Sequence, residues 1–343
     1  MAGHHCAGLV GAAGAALETE LTGTREGGNA GTGLVPRPEA RGPRPVWWRV
    51  WWRAVRPFSF TASMTPVIVG SAVAFAQRQF HPGLFAVAFV ASVAIHAGAN
   101  LANDYYDHVR GTDTPESIGP SGVIQHGLLR PRTVLRGACA CFAAAGILGS
   151  ILVASRGWPI LLIGVLSVAA GYAYTGGPIP LGYVGLGDGV VFVFMGLVTT
   201  VGAYYIQTAA ISRAVLWAAV PLAALVDAIL VVNNLRDLDE DRARGKRTFA
   251  ALIGPAATRA HFLILIIAAY GSIAAGIWLR VIPALSALVI LTVPDGARVW
   301  RVVKVETDPW VLTSKGIRAT AQLHQRVGLW LALAFVAAGL SAS

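Results

Sequence analysis

Charge is what this sequence has least of. Asp, Glu, Lys and Arg make up 13% of its 343 residues, where a soluble chain carries about a quarter. That shortage excludes an ordinary water-soluble domain. Cysteine is almost missing too. Cys6, Cys139 and Cys141 provide neither the spacing of a metal site nor a disulfide framework. Cys139 and Cys141 lie in an apolar run and read as lipid-facing or packing residues. A secretory leader is not evident, because Met1 to Ala16 has no basic start and no dense apolar core.

What is present is apolar. Hydrophobic residues are 55% of the chain, and the mean hydropathy is +0.61. They fall in blocks of about 18 to 25 residues, the length a helix needs to cross a hydrocarbon core. The blocks predict about nine spans, over 58–77, 83–103, 133–155, 158–175, 188–206, 214–235, 258–279, 282–294 and 325–342. The fold class is therefore all-α, a multi-pass transmembrane bundle over 46–343. Residues 1–45 are rich in Gly, Ala, Pro and Arg without periodicity; they read as a disordered extension.

The formal charge of +10 would suggest nucleic acid in a soluble chain. Here the basic residues lie between apolar blocks, so the partner is membrane lipid, with no role for nucleic acid. With the N-terminus in the cytoplasm, all but four of the 27 Lys and Arg fall on that side. The four are Arg78, Arg156, Arg213 and Arg280. This bias predicts that the N-terminus and the polar face are cytoplasmic; the expected location is a cell membrane of bacterial type. Trp47-Trp48-Arg49-Val50-Trp51-Trp52-Arg53 reads as an interfacial lead-in to the first span.

The acidic residues concentrate where that bias places the cytoplasm. One cluster runs from Asn100 through Asn103, Asp104 and Asp107 to Asp113. Another runs from Asn234 through Asp237 to Asp241, with Asp227 nearby. At about 100° per residue, Asn100, Asn103, Asp104 and Asp107 share one helix side with His96 one turn below, and Asp227, Asn234, Asp237 and Asp241 fall within about 80°. His96 reads as a satisfied interior histidine. Rows of carboxylate and amide oxygens repel unless a cation sits between them, and they suit Mg²⁺ with phosphate co-ligands. Arg110, Arg242, Lys246 and Arg247 would neutralise the remaining phosphate charge. A single Asp-x-x-x-Asp arises by chance on polar helix faces; two on one membrane face are far more telling. A third segment, Tyr172 to Asp188, carries tyrosines whose faces stabilise a nearby carbocation. A tight interhelical turn would use the same residues.

Four ordered segments resemble the UbiA superfamily of intramembrane aromatic prenyltransferases. They are Asn100-Leu-Ala-Asn-Asp-Tyr-Tyr-Asp107 with Gly111-Thr-Asp113, Ile118 to Gly127, Tyr174-Thr-Gly-Gly-Pro178 with Gly185-Leu-Gly-Asp188, and Asn233 to Asp241 with Gly245-Lys-Arg-Thr248. They are most similar to the branch that prenylates 1,4-dihydroxy-2-naphthoate on the way to menaquinone. The likeness extends from about Arg56 to the last helix. It implies nine helices around a cavity open sideways to lipid, and Mg²⁺ between the two Asp motifs and a polyprenyl diphosphate. The superfamily's first motif would place an Asp where Gly111 stands, and Asp113 is the implied substitute.

The expected site follows. Asn103, Asp107, Asp237 and Asp241 hold the metal, and the three aspartates are the catalytic carboxylates. Asn100, Asp104, Arg110, Asn234, Arg242 and Lys246 bind the diphosphate. Gln125, Tyr172, Tyr174 and Asp188 form the acceptor or carbocation pocket. The reaction implied by resemblance is transfer of the polyprenyl group to 1,4-dihydroxy-2-naphthoate with loss of CO₂ and diphosphate, giving a demethylmenaquinone. Two rivals stay open at this point. One is another acceptor, such as 4-hydroxybenzoate, homogentisate or a chlorophyllide. The other is a cation-coupled transporter.

Overall fold

The computed structural model describes residues 46–115, 117–118 and 121–341. The extension expected at residues 1–45 lies outside them. Every described element is helical, and all belong to the unit Pro45–Ser343. Lipid offers no hydrogen bonds, so a chain this apolar satisfies its backbone inside helices.

The helices are α1 (Trp47–Val55), α2 (Thr61–Ala76), α3 (Pro82–Val109), α4 (Pro131–Arg156), α5 (Trp158–Ala173), α6 (Gly187–Thr208), α7 (Arg213–Arg236), α8 (Leu238–Ala243), α9 (Phe249–Trp278), α10 (Val293–Val305) and α11 (Pro309–Ser341). Seven segments are long and apolar enough to cross a membrane: α1 with α2, then α3, α4, α6, α7, α9 and α11. The chain is an integral membrane protein. Helix α5 is apolar but shorter. The span expected at 282–294 is a 3₁₀ helix, Ala284–Thr292, running into α10. Nine complete crossings are thus not what length and composition give. Two of the expected spans fall on shorter elements.

Helix α7 is the most enclosed of the seven and α4 the least. α7 packs against α9, α11 and α6; α2 packs against α11 and α6; α3 packs against α4. Small residues permit this closeness. A Cβ on Gly196 of α6 would stand 2.2 Å from the Ala223 Cα of α7.

Two departures from regular helix shape the site. α6 opens into π geometry over Val191–Val198, and α11 does so over Leu312–Ile317. Such segments recur at functional sites. The second departure is at the polar motifs. α3 continues past its apolar run to Val109, so the first motif is helical from Asn100 to Asp107, while Asp113 lies in the loop that follows. α7 instead stops at Arg236. Asp237 (φ −92°, ψ 4°) breaks it from α8, although the Asp241 N–H still reaches the Asp237 carbonyl at 2.8 Å. The second motif is therefore bent, not one straight row.

Candidate active site

Three connections meet at the polar end of the bundle: the one after α3, the one between α5 and α6, and the one after α7. Cross-links hold them together. Arg110 donates to the Thr175 and Gly177 carbonyls. Arg244 donates to the Thr112 carbonyl and, at 3.2 Å, to Thr114 Oγ1. Ser117 donates to Glu240. The Arg247 N–H donates to the Tyr183 carbonyl at 3.1 Å.

Beneath them lies a small polar pocket. Asn103, Asp107, Asn234, Asp237, Asp241 and Lys246 line it, together with Asp113 and Glu240. All four expected metal ligands are thus on its wall. Asn103 Nδ2 donates to Asp107 Oδ2 at 2.9 Å, and the Tyr183 hydroxyl donates to Asp107 Oδ1 at 2.7 Å. Arg236 grips Asp237 with two bonds, of 2.6 and 2.5 Å. Lys246 Nζ stands 3.4 Å from Asp241 Oδ1 and 5.1 Å from the centre of the Tyr183 ring.

The charge of this pocket is unbalanced. Asp107, Asp113, Asp237, Glu240 and Asp241 share the wall with Arg56, Arg236 and Lys246, and Glu240 also pairs with Arg244 at 3.0 Å, which leaves five carboxylates to four cations. Burial pushes the Asp241 carboxyl up to about 6, against the pull of Lys246. Burial and the Asp107 charge push Asp113 up to about 7. Burial alone would lower the pKa of Lys246, but the surrounding carboxylates raise it. Asp241 Oδ2 and Asp113 Oδ2 are buried with no hydrogen-bond partner among the described residues. Unpaired buried oxygens of this kind are costly, and a hard divalent cation is the partner they fit. Among the described residues, no three His, Cys, Asp or Glu form a metal site by themselves. Ligands from a bound phosphate would have to complete one.

A second cavity, of about 1190 Å³, opens on the polar pocket. Its wall is mostly apolar, with Val67, Ala88, Phe142, Ile160, Val191 and Met195 among its residues. Six residues line both spaces and form the neck between them: Arg56, Asn103, Tyr174, Leu230, Asn233 and Arg236. Tyr172 is on the wall of the large cavity, its hydroxyl 2.6 Å from that of Tyr106.

Other expected residues are placed elsewhere. Asp104 faces neither space. One of its oxygens pairs with Arg56 and the other accepts from Ser121. Asn100 lines the large cavity but donates to the Val55 carbonyl at 3.0 Å and to Ser59 Oγ at 3.1 Å. Those two bonds flank Arg56, whose backbone is left-handed (φ 54°, ψ 62°). Arg110 is held by loop carbonyls, with its guanidinium 5.2 Å from the Tyr183 ring. Arg242 donates to the Ala251 carbonyl at 3.2 and 3.0 Å, next to the Gly254 kink of α9. Asp188 is buried and accepts from Asn234 at 3.3 Å. Gln125 lines neither space, and its Nε2 is buried without a partner among the described residues. His96 is satisfied by Ser59 and Ser63, at 3.2 and 3.1 Å.

Arg56, Tyr183 and Arg236 are the site residues that motif reading passed over. Tyr183 lay within a tyrosine-bearing segment already singled out. Arg56 carried no local signal, because its contact with Asp104 spans 48 positions.

Comparison with known proteins adds to this geometry. Residues 63–312 match the UbiA prenyltransferase family. The 1,4-dihydroxy-2-naphthoate octaprenyltransferase of Bacillus subtilis is 37% identical over 228 residues, covering 66% of this chain and 71% of that protein. The Escherichia coli protein of the same name is 33% identical, covering 64% of this chain and 73% of its own length. A solved UbiA homolog from Archaeoglobus fulgidus, bound to DMAPP and Mg²⁺, superposes with a TM-score of 0.55 at 17% identity. That match covers 84% of this chain and 99% of that one. At such identity the likeness concerns the fold.

Proposed function

We infer the function from one premise: the chain belongs to the UbiA prenyltransferase family. It transfers a polyprenyl group from its diphosphate to 1,4-dihydroxy-2-naphthoate, releasing CO₂ and diphosphate and forming the demethylmenaquinone skeleton at its hydroquinone level. The transporter reading falls away with family membership.

The observation that carries the mechanism is the neck. A donor with a charged head and a long hydrocarbon tail needs a polar pocket joined to an apolar one, with the reactive carbon at the junction. Here Arg56, Asn103, Tyr174, Leu230, Asn233 and Arg236 form that junction. Asn103, Asp107, Asp237 and Asp241 would hold Mg²⁺ together with diphosphate oxygens. When bound, the ion withdraws charge from the leaving diphosphate and so lowers the barrier to its departure.

The residues of the chain do the rest. Tyr183 and Asn103 fix the Asp107 carboxylate, leaving it little freedom to lose on binding. Arg56 and Lys246 face the outer oxygens of the diphosphate and stabilise the charge that grows there. As the allylic C–O bond breaks, its electron pair stays with the diphosphate. Tyr174 presents an aromatic face to the positive carbon left behind. The apolar wall keeps water from that carbon. The ring carbon bearing the carboxylate then attacks, the bond to the carboxylate breaks as CO₂ leaves, and its electron pair restores the aromatic ring.

The residues proposed to bind the donor are at one end of the bundle, and the Lys and Arg bias supports a cytoplasmic location for that end. The test uses purified protein in lipid vesicles, with a labelled polyprenyl diphosphate and a panel of aromatic acceptors. Turnover is expected with 1,4-dihydroxy-2-naphthoate and not after EDTA. Asp107→Ala or Asp237→Ala should lower it by at least about 10³-fold while the protein still inserts. Full activity in either variant would overturn the ligand set.

A further inference from the structure

Four arginines line the large cavity: Arg53, Arg56, Arg236 and Arg318. Three are committed. Arg53 donates to the Ser121 carbonyl, Arg56 pairs with Asp104, and Arg236 grips Asp237. Arg318 is different. Among the described residues its exposed side chain has no hydrogen bond and no ion pair, and it borders a mostly apolar space.

Its position is set by the π segment of α11. In π geometry the hydrogen bonds run from i to i+5, so residues five apart stack. Thr313 and Arg318 are five apart, and Thr313, Ile317, Arg318 and Ala321 all line the cavity. Thr313 Oγ1 is 3.5 Å from the Arg236 guanidinium, which belongs to the neck. The free cation therefore shares a wall with the junction where the donor's reactive carbon would sit, but lies on the side of the tail and not of the diphosphate.

We propose that Arg318 binds the carboxylate of the aromatic acceptor and brings the ring to the neck. This rests on the naphthoate reading above. The acceptor is an aromatic anion that has to enter an apolar space, and a desolvated anion needs a cation. A guanidinium matches a carboxylate with two parallel bonds, which fix the plane of the ring as well as its charge. The polar pocket cannot serve, since the donor's diphosphate is proposed to fill it and repels a further anion. Once CO₂ has left, the prenylated product carries no carboxylate, so Arg318 does not retain it. Arg318 accordingly acts on binding and on discrimination between acceptors, and touches neither diphosphate nor metal.

The experiment pairs the residue with the group it is held to recognise. Wild-type protein, Arg318→Ala and Arg318→Lys are assayed in vesicles with 1,4-dihydroxy-2-naphthoate and a polyprenyl diphosphate. Two competitors are compared, 1-hydroxy-2-naphthoate and 1-naphthol, which differ in the carboxylate alone. Arg318→Ala is expected to raise the acceptor KM and the inhibition constant of 1-hydroxy-2-naphthoate about tenfold or more. The donor KM and the inhibition constant of 1-naphthol should change less than about twofold, and lysine should restore part of the loss. Equal weakening of both competitors, or no weakening of either, overturns the proposal. A raised donor KM with an unchanged acceptor KM overturns it too and assigns Arg318 to the diphosphate. Failure of the wild-type protein to prenylate the naphthoate would instead defeat the underlying functional reading.

Discussion

Tyr183 holds the most consequential hydrogen bond of the site. Its hydroxyl donates to Asp107 at 2.7 Å and stands 2.8 Å from Thr112 Oγ1. Its ring lies under Lys246 and Arg110. Burial, with the nearby Asp107 charge, raises the phenol far above its usual range, so the proton stays on Tyr183 at any working pH. A hydrogen bond to a charged group contributes about 1.5–3 kcal/mol. Tyr183→Phe keeps the ring and loses that bond. It should reduce kcat/KM about 10- to 100-fold and raise the Mg²⁺ concentration for half-maximal rate, as read in a metal titration. An unchanged titration would mean that Asp107 does not need the phenol. At this scale the sequence marked residues that line the polar pocket but could not rank their oxygens. Asp104 and Asp107 share a helix side, yet Asp104 is spent on Arg56 and Ser121, and that depends on partners 48 and 17 positions away. Spacing along one helix carries no record of such partners.

At the scale of elements, hydrophobic block length served well because the bilayer imposes it. The polar ends were harder. Apolar length cannot show that α3 runs on to Val109, or that α7 breaks at Asp237, since both features lie in polar sequence. The π segments left no trace either, because they depend on how α6 and α11 pack. Gly196 shows how tight that packing is. Its missing side chain lets α6 approach α7, and an added Cβ would meet the Ala223 backbone Cα at 2.2 Å and N at 2.9 Å. Backbone cannot rotate aside as a side chain does. Gly196→Ala should therefore cost about 1–3 kcal/mol of stability, seen as a lower melting temperature in detergent. Gly271→Ala makes the same change where nothing lies within 4 Å, and it should be neutral or mildly stabilising through helix propensity. Equal melting of the two variants would remove the close-packing argument for α6 and α7.

The whole molecule is organised by one asymmetry. Its polar motifs meet at one end of the bundle, where the donor's charged head is proposed to bind, and the span order expected from the sequence puts all but four of the 27 Lys and Arg on that side. Membrane insertion reads the same asymmetry, because basic loops resist transfer across the bilayer. Orientation and chemistry are then coupled: a bundle inserted the other way would turn its polar pocket to the opposite side of the membrane. Two exposed positions separate the alternatives. Ile211 lies between α6 and α7, and Val305 ends α10 at the opposite side expected from the span order; they are 60% and 71% exposed. In a background with Cys6, Cys139 and Cys141 changed to Ser, Ile211→Cys should react with a membrane-impermeant thiol reagent in intact cells. Val305→Cys should react only after the membrane is opened. The reverse pattern would place the polar motifs outside and contradict the charge argument. Labelling of both before opening would mean that the crossings from α7 through α10 are even in number, and that Ala284–Thr292 with α10 does not complete a span.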